Sequence, residues 1–154
     1  MGRARCCRRP QRAPTDAHPG DFRIHWRPVL AQHPGLARGL RLSKVVEEAT
    51  TREWLMSVGR RSALERVAHL LCELQVRLQA VGFATQNGYD LALTQQDLGD
   101  ALGLSNVHVN RTVHTLRERN LIAWGTRHLT ILDLPRLMVL AEFNPKYLTV
   151  LAGP

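Results

Sequence analysis

The chain has 154 residues, a formal net charge of +8 and 44% hydrophobic residues. This length supports one domain with a modest core plus appendages. No apolar run reaches the roughly 18 residues that would indicate a membrane-spanning helix, so no membrane partner is predicted. Residues 1–28 contribute +5 of the net charge, which means that the total charge alone is a weak argument for a nucleic-acid partner.

Residues 1–28 are rich in Arg, Pro and Gly and lack apolar periodicity, which predicts a disordered tail. Cys6 and Cys7 are adjacent, whereas Cys72 falls in an apolar helical stripe, so we expect reduced thiols and a cytoplasmic protein. His108 and His114 do not have metal-ligand spacing. We therefore predict no metal, no cofactor and no catalytic constellation, and we expect the protein not to be an enzyme.

Residues 29–58 are predicted to form a long helix with an irregular apolar stripe. Such a stripe requires a partner, either within the chain or across a two-fold axis. The stripe comprises Leu36, Leu40, Val46, Ala49 and Met56. Gly59 is predicted to break this helix, and Ser62 with Glu65 forms a capping box that begins the next one. That second helix presents an apolar stripe formed by Val67, Leu70, Leu71, Leu74 and Leu78.

Residues 94–113 have the pattern of a helix-turn-helix, which favours nucleic-acid binding. Thr94 and Asp97 form a capping box for the first helix. Gly99 is placed where the two helices approach each other, and Gly103 ends the first helix in a left-handed conformation. Ser105 caps the second helix, which we expect to cover residues 105–119 and to act as the recognition helix.

The second helix has one apolar and one polar face. Val109, Val113 and Leu116 share the buried stripe. The outer face carries Asn106, Val107, Asn110, Arg111 and His114. Asn and Arg make paired hydrogen bonds to adenine and guanine edges in the major groove. The alternative is an ordinary helical hairpin with a solvated face, although such a face would normally favour Glu and Lys.

The residues after the second helix predict a strand, a turn and a strand. Asn120 is predicted to take a left-handed cap, and residues 121–124 and 129–132 are the two strands. Arg127 and His128 at the tip would contact phosphate, unless the hairpin is only a structural lid. Residues 89–93 predict a further short strand, and Pro135 begins a last helix. We expect Arg111, Arg117, Arg119 and Arg127 to form a local basic patch on the recognition side.

Four segments together resemble the C-terminal part of a Crp/Fnr family transcription regulator. They are residues 62–74 (SALERVAHLLCEL), 93–99 (LTQQDLG), 107–112 (VHVNRT) and 129–133 (LTILD), and the resemblance extends over residues 36–148. It implies a dimerisation helix followed by a winged helix-turn-helix. It also implies a preceding β-roll sensor, but the residues before Leu36 contain no run of alternating strands. They also lack the glycine-rich turn followed by Glu and an Arg-Ser or Arg-Thr pair that cyclic-nucleotide-binding members use.

The combined prediction is a mainly α (α+β) protein without its sensor and without a cyclic-nucleotide ligand. Residues 1–28 would be the tail, 29–58 the dimerisation helix, 59–134 the winged helix-turn-helix domain, and 135–154 a C-terminal helix and tail. We expect a homodimer that binds double-stranded DNA and regulates transcription, with RNA polymerase as a further candidate partner. The alternative is an interaction protein that heterodimerises with full-length relatives.

The predicted DNA-binding residues fall into two groups. Asn106, Asn110 and Arg111 would read base edges, and Val107 would touch a thymine methyl group. The predicted phosphate contacts and neighbours are Ser105, His108, His114 and Arg127. Outside these two groups, Thr94 and Gln95 are further predicted DNA-binding residues, to which the sequence assigns no specific role.

Overall fold

A computed structural model describes residues 22–151 and divides the chain into two units, with the boundary after Arg41. The predictions for residues 1–21, including Cys6 and Cys7, lie outside the described residues. The helices are α1 (Phe22–Gln32), α2 (Pro34–Arg60), α3 (Ala63–Ala80), α4 (Gln95–Leu102), α5 (Asn106–Glu118) and α6 (Leu134–Leu140), followed by a 3-10 helix (Pro145–Leu151). The strands are β1 (Gly88–Asp90), β2 (Ile122–Trp124) and β3 (His128–Ile131).

In the first unit, helical structure begins before residue 28, which was the predicted end of the disordered tail. Helix α1 begins at Phe22 and includes Pro28 in its interior. The prediction of disorder rests on the composition of residues 1–28 and on their lack of apolar periodicity, and neither of these signals excludes a short helix. The helix ends before His33 because a residue that precedes proline disfavours the helical conformation, and Pro34 then begins α2.

Helix α2 also extends past its predicted end. Gly59 does not break the helix, which continues to Arg60. A glycine in an exposed helix costs only about 1 kcal/mol, and one such residue is tolerated where the surrounding turns continue. The break comes instead where Ser62 caps α3: its hydroxyl accepts from the Glu65 N–H and its own N–H donates to the Glu65 carboxylate. This capping box confirms the predicted start of the second helix.

The core of the second unit is built on α3, which packs against α5, α6 and the 3-10 helix. Val67, Leu71 and Cys72 are completely buried on its inner face. Burial raises the pKa of the Cys72 thiol to about 12, so this cysteine is an inert core side chain, as predicted. The C-terminal residues that were predicted as a tail include Leu148, which is 1% exposed and belongs to the same core.

Three short strands form an antiparallel sheet in the order β1-β3-β2. In its register, Trp124 lies opposite Leu129 and Asp90 lies opposite His128. The β2–β3 hairpin is the predicted wing, and β1 confirms that part of residues 89–93 pairs as a strand. Helix α6 begins one residue earlier than predicted, because the Asp133 side chain accepts a hydrogen bond from the Arg136 N–H and caps it.

A buried polar network joins α2, α3 and the 3-10 helix within the second unit. Glu73 on α3 is 1% exposed, and its Oε2 accepts from Trp54 Nε1 at 3.0 Å and from the Tyr147 hydroxyl at 2.9 Å. Its Oε1 accepts from Arg77 Nη1 at 2.8 Å. We call Trp54, Glu73 and Tyr147 the carboxylate latch, because one carboxylate connects three elements that are far apart in sequence.

His69 lies beside this latch and makes the stability of the second unit depend on pH. Its ring packs edge-on against Phe143 and parallel to Tyr147, and it faces Glu53, Arg61 and Glu73. Burial, and then the Arg61 charge, lower the pKa of His69 despite the two carboxylates. The unfolded state therefore takes up this proton at a higher pH than the folded state does.

We expect the free energy of unfolding to fall as the pH drops below about 6.5, the ordinary pKa of an unfolded histidine. Urea unfolding of wild type and His69→Phe at several pH values measures this contribution. Phenylalanine keeps an aromatic ring in the cluster but cannot titrate, so the pH dependence of the variant should be weaker. An unchanged pH dependence in His69→Phe would contradict the assignment.

Candidate nucleic-acid interface

The first helix of the motif, α4, is held at its start by a complete capping box. The Thr94 hydroxyl accepts from the Asp97 N–H at 3.2 Å, and the Asp97 carboxylate accepts from the Thr94 N–H at 2.7 Å. The Thr94 hydroxyl also donates to Asp97 Oδ2 at 2.7 Å, and this bond, followed by the one from the Thr94 N–H, lowers the pKa of the Asp97 carboxyl because both stabilise its charged form. The capping box predicted from spacing is confirmed. Thr94 and Gln95 therefore stand at the amino end of α4, with Thr94 exposed.

Two glycines determine the turn between α4 and α5. Gly103 has φ of +64° and ends α4 in the left-handed conformation, as predicted. A Cβ at Gly99 would lie 2.6 Å from the Leu104 carbonyl oxygen, and the Leu104 N–H donates to the Gly99 carbonyl oxygen at 2.8 Å. The close approach is thus between α4 and the backbone of the turn. The sequence predicts crowding at Gly99 from the second helix. The position is correct, but the nearest atom is the Leu104 carbonyl oxygen of the turn.

Helix α5 has the two faces that its sequence predicted. Val109, Val113 and Leu116 are buried, while Val107 is 67% exposed. The exposed side chains of its first nine residues are Asn106, Val107, His108, Asn110, Arg111 and His114. The helix begins at the Ser105 cap, whose hydroxyl accepts from the His108 N–H at 3.4 Å. The N–H groups of the first turn of a helix have no carbonyl partner within the helix, and together with the helix dipole they make this end electropositive.

Several exposed side chains of α5 already have partners on the helix. The Ser105 hydroxyl lies 2.8 Å from His108 Nδ1, and Asn110 Nδ2 donates to the Asn106 carbonyl oxygen at 3.1 Å. His114 lies 3.3 Å from the Glu118 carboxylate. The Arg111 guanidinium has no hydrogen-bond or ion-pair partner among the described residues. It is therefore the charged side chain on this face that can engage a ligand without giving up an internal contact.

The basic patch differs from its prediction at two of its four arginines. Arg117 donates to the Trp124 carbonyl oxygen and ties α5 to the wing. Arg119 lies beside Leu121 and α6, away from the outer face of α5. The helical period explains this, because Arg119 follows the buried Thr112 and Leu116 at spacings that bring it to the edge of the buried face. All four arginines are exposed, but Arg117 contacts the wing and Arg119 lies beside α6.

Two carboxylates near the interface, those of Glu118 and Asp90, were not recognised from the sequence. Glu118 is exposed one residue after Arg117 and places a carboxylate near His114. At the wing, His128 is the first residue of β3, and its Nδ1 lies 2.7 Å from the Asp90 carboxylate on β1. His128 is thus a cross-strand partner in the sheet, and only Gly125, Thr126 and Arg127 form the tip. The i,i+4 spacing of His114 and Glu118 was a readable signal, whereas the β1–β3 register was not.

The described residues contain no group of three or more His, Cys, Asp or Glu side chains placed to hold a metal ion. Over the same part of the chain, no helix is both long and apolar enough to cross a bilayer.

Comparisons with family models, curated proteins and solved structures agree on one family. Residues 65–140 match the model of the Crp-like helix-turn-helix domain. The chain is 32% identical over 114 residues to the transcriptional activator protein FnrL of Cereibacter sphaeroides, a match that covers 71% of the chain and 46% of that protein. It is also 32% identical over 112 residues to the nitrogen fixation regulation protein FixK of Bradyrhizobium diazoefficiens, covering 73% of the chain and 47% of that protein. The chain thus spans about half the length of these relatives.

A solved structure shows the same fold. FixK2 from Bradyrhizobium japonicum aligns with a TM-score of 0.61 at 28% identity, and the alignment covers 74% of this chain and 58% of that one. A structure of CprK, at 18% identity and a TM-score of 0.56, supports the fold alone. The small antiparallel sheet and the helix-turn-helix described above are the features that such winged domains share.

Proposed function

The chain belongs to the Crp-like helix-turn-helix family through residues 65–140, and we propose that it is a sequence-specific DNA-binding regulator of transcription that acts in the cytoplasm and not as an enzyme. The observation that carries the proposal is the outer face of α5. That face combines a Ser105-capped amino end, two exposed Asn side chains and the unpartnered Arg111 guanidinium. An α-helix fits the major groove of B-DNA, where such side chains read base edges.

Base reading is assigned to the amino-terminal half of α5. Arg111 would donate to a guanine, Asn106 and Asn110 to adenines, and Val107 would contact a thymine methyl group. Asn110 must first release the Asn106 carbonyl oxygen, at a cost of about 1 kcal/mol. The Arg111 guanidinium faces no such cost and can donate two hydrogen bonds to one guanine, so it is the strongest candidate for specificity.

Phosphate contacts are assigned around that half of α5 and at the wing. Ser105 and the first N–H groups of α5 would bind one phosphate, because a helix amino terminus attracts anions. The remaining proposed contacts are Thr94, Gln95, His108, His114 and Arg127. These contacts release counterions, so affinity should fall steeply with salt concentration.

Dimerisation is proposed through α2, with half-sites about 10 base pairs apart centre to centre. The exposed apolar side chains of α2 are Leu36 and Leu40 in the first unit, and Leu42, Val45, Leu55, Met56 and Val58 in the second. The same side chains could pair with a longer relative, which is the alternative function of a heterodimerising modulator. RNA polymerase is a further proposed partner, as it is the target on which a transcription regulator acts. No cyclic nucleotide is proposed as a ligand.

Selection of bound sequences from a random DNA pool tests the proposal directly. Enrichment of a palindromic sequence is expected from a dimeric regulator. Enrichment of a single half-site would favour a monomer. The absence of any enrichment, together with co-purification of a complete relative, would replace the proposal with the heterodimer alternative.

Arg111→Ala is expected to weaken binding to the selected site by about 1–3 kcal/mol and to relax specificity at one base pair. Fluorescence anisotropy with the selected site and with all substitutions at that base pair measures both effects. Arg119→Ala is the matched control, because it removes the same charge at the end of the same helix but away from the outer face. Equal losses for Arg111→Ala on specific and random DNA would mean that Arg111 contacts only phosphate.

A further inference from the structure

A groove lies between the carboxyl end of α5 and helix α6, on the domain surface away from the α5 amino end. It has a volume of about 380 Å³ and is lined by Arg119, Leu121, Pro135, Arg136, Val139 and Leu140. Leu121 forms a buried floor at 3% exposure, whereas Val139 is 80% exposed on one wall. The volume lies within the range of about 300–1,000 Å³ that is usual for small-molecule sites.

The groove also carries two positive charges, those of Arg119 and Arg136. Arg119 has no side-chain hydrogen bond or ion pair among the described residues. The Arg136 guanidinium has one ion-pair partner among the described residues, the Asp133 carboxylate at 3.7 Å, and 68% of the Arg136 side chain is exposed. Both guanidinium groups are therefore available to an incoming anion. Two arginines beside an apolar floor complement a molecule that has a single anionic head and an apolar body.

We propose that this groove binds a small amphipathic anion, a carboxylate or sulfonate with an aliphatic or aromatic body. The head group would pair with Arg119 and Arg136, and the body would cover Leu121 and Val139. A protein partner fits less well, because a stable protein interface buries about 800 Å² on each side, which is more surface than six residues of a short groove provide.

The site is separate from the DNA-reading face. Helix α5 has 13 residues, and at about 1.5 Å per residue its two ends lie roughly 20 Å apart. Ligand and DNA can thus be bound together. The proposal does not depend on the proposed function, because binding is measured on the full chain without DNA.

Isothermal titration calorimetry of the full chain with decanoate, kept below its micelle concentration, tests the proposal. We expect saturable binding of one decanoate per chain. Arg119→Gln should weaken it by about tenfold, the usual effect of losing one charge-assisted hydrogen bond. Val139→Asp should abolish binding because it places a carboxylate in the groove. Both side chains are exposed, and a thermal unfolding midpoint unchanged from wild type verifies the fold of each variant.

Matched controls separate this site from non-specific amphiphile binding. Arg127→Gln removes the same charge from the wing tip and should leave decanoate binding unchanged. Decanol and decyltrimethylammonium, which have the same chain without the anion, should bind at least tenfold more weakly. Equal decanoate binding by wild type and Arg119→Gln, no heat from decanoate, or saturation only by an acidic amphipathic peptide would each overturn the proposal.

Discussion

Glu73→Ala is expected to lower the free energy of unfolding by about 3–5 kcal/mol. The substitution removes the acceptor of both Trp54 Nε1 and the Tyr147 hydroxyl, and it leaves a void at a side chain that is 1% exposed. Each donor loses its partner in a partly buried site, where water replaces the lost bond poorly. Urea unfolding followed by far-ultraviolet circular dichroism measures the loss.

Two single changes around Glu73 show which contacts carry that energy. Tyr147→Phe removes one hydroxyl and should cost about 1 kcal/mol. Arg77→Ala should cost less than about 1 kcal/mol, because 46% of the Arg77 side chain is exposed and water screens its ion pair. If Glu73→Ala costs no more than Tyr147→Phe, the carboxylate latch does not hold α2 and the 3-10 helix on α3.

Gly99→Ala is expected to cost about 2–4 kcal/mol of folding free energy, in the upper range for overpacked positions. The added Cβ would lie 2.6 Å from the Leu104 carbonyl oxygen. That oxygen belongs to backbone that is tied back to α4 by the Leu104 N–H bond to Gly99, so it cannot move aside alone. Relief requires the turn to open and α5 to tilt. Below its unfolding temperature the variant should therefore also lose affinity for the selected DNA site.

Gly103→Ala is the matched control for this experiment, four residues along the same motif. Its Cβ meets no atom within 4 Å, so only the left-handed backbone at φ of +64° opposes the substitution. That strain costs about 1–2 kcal/mol. Thermal unfolding and anisotropy on both variants separate crowding from backbone strain. A Gly99→Ala loss no larger than that of Gly103→Ala would refute the crowding argument.

The features that the sequence predicted correctly are local. The capping boxes at Ser62 and Thr94 join residues three positions apart, and the left-handed conformations of Gly103 and Asn120 depend on single residues. The two faces of α5 follow from the helical period of 3.6 residues. Each of these signals is complete within one or two turns of chain, so no distant contact was needed to read it.

The features that the sequence did not reveal depend on partners far away in the chain. Glu73 was an acidic residue in an apolar stripe, and only the packing of α2 and the 3-10 helix gave it two donors. The sequence predicts His128 at the wing tip, whereas the β1–β3 register places it in β3, opposite Asp90. Helix α1 differs for another reason, because the Arg-, Pro- and Gly-rich composition of residues 1–28 predicts disorder.

The sequence by itself determined the motif, its caps and the polar outer face of α5, because periodicity and capping chemistry act over three or four residues. Only the tertiary structure decided which of those exposed side chains are free. It turned Arg117 to the wing and Arg119 to the α6 groove, and it left the Arg111 guanidinium without a partner. Availability of a side chain is a property of its neighbours in space, and those neighbours are set by how the helices and strands pack.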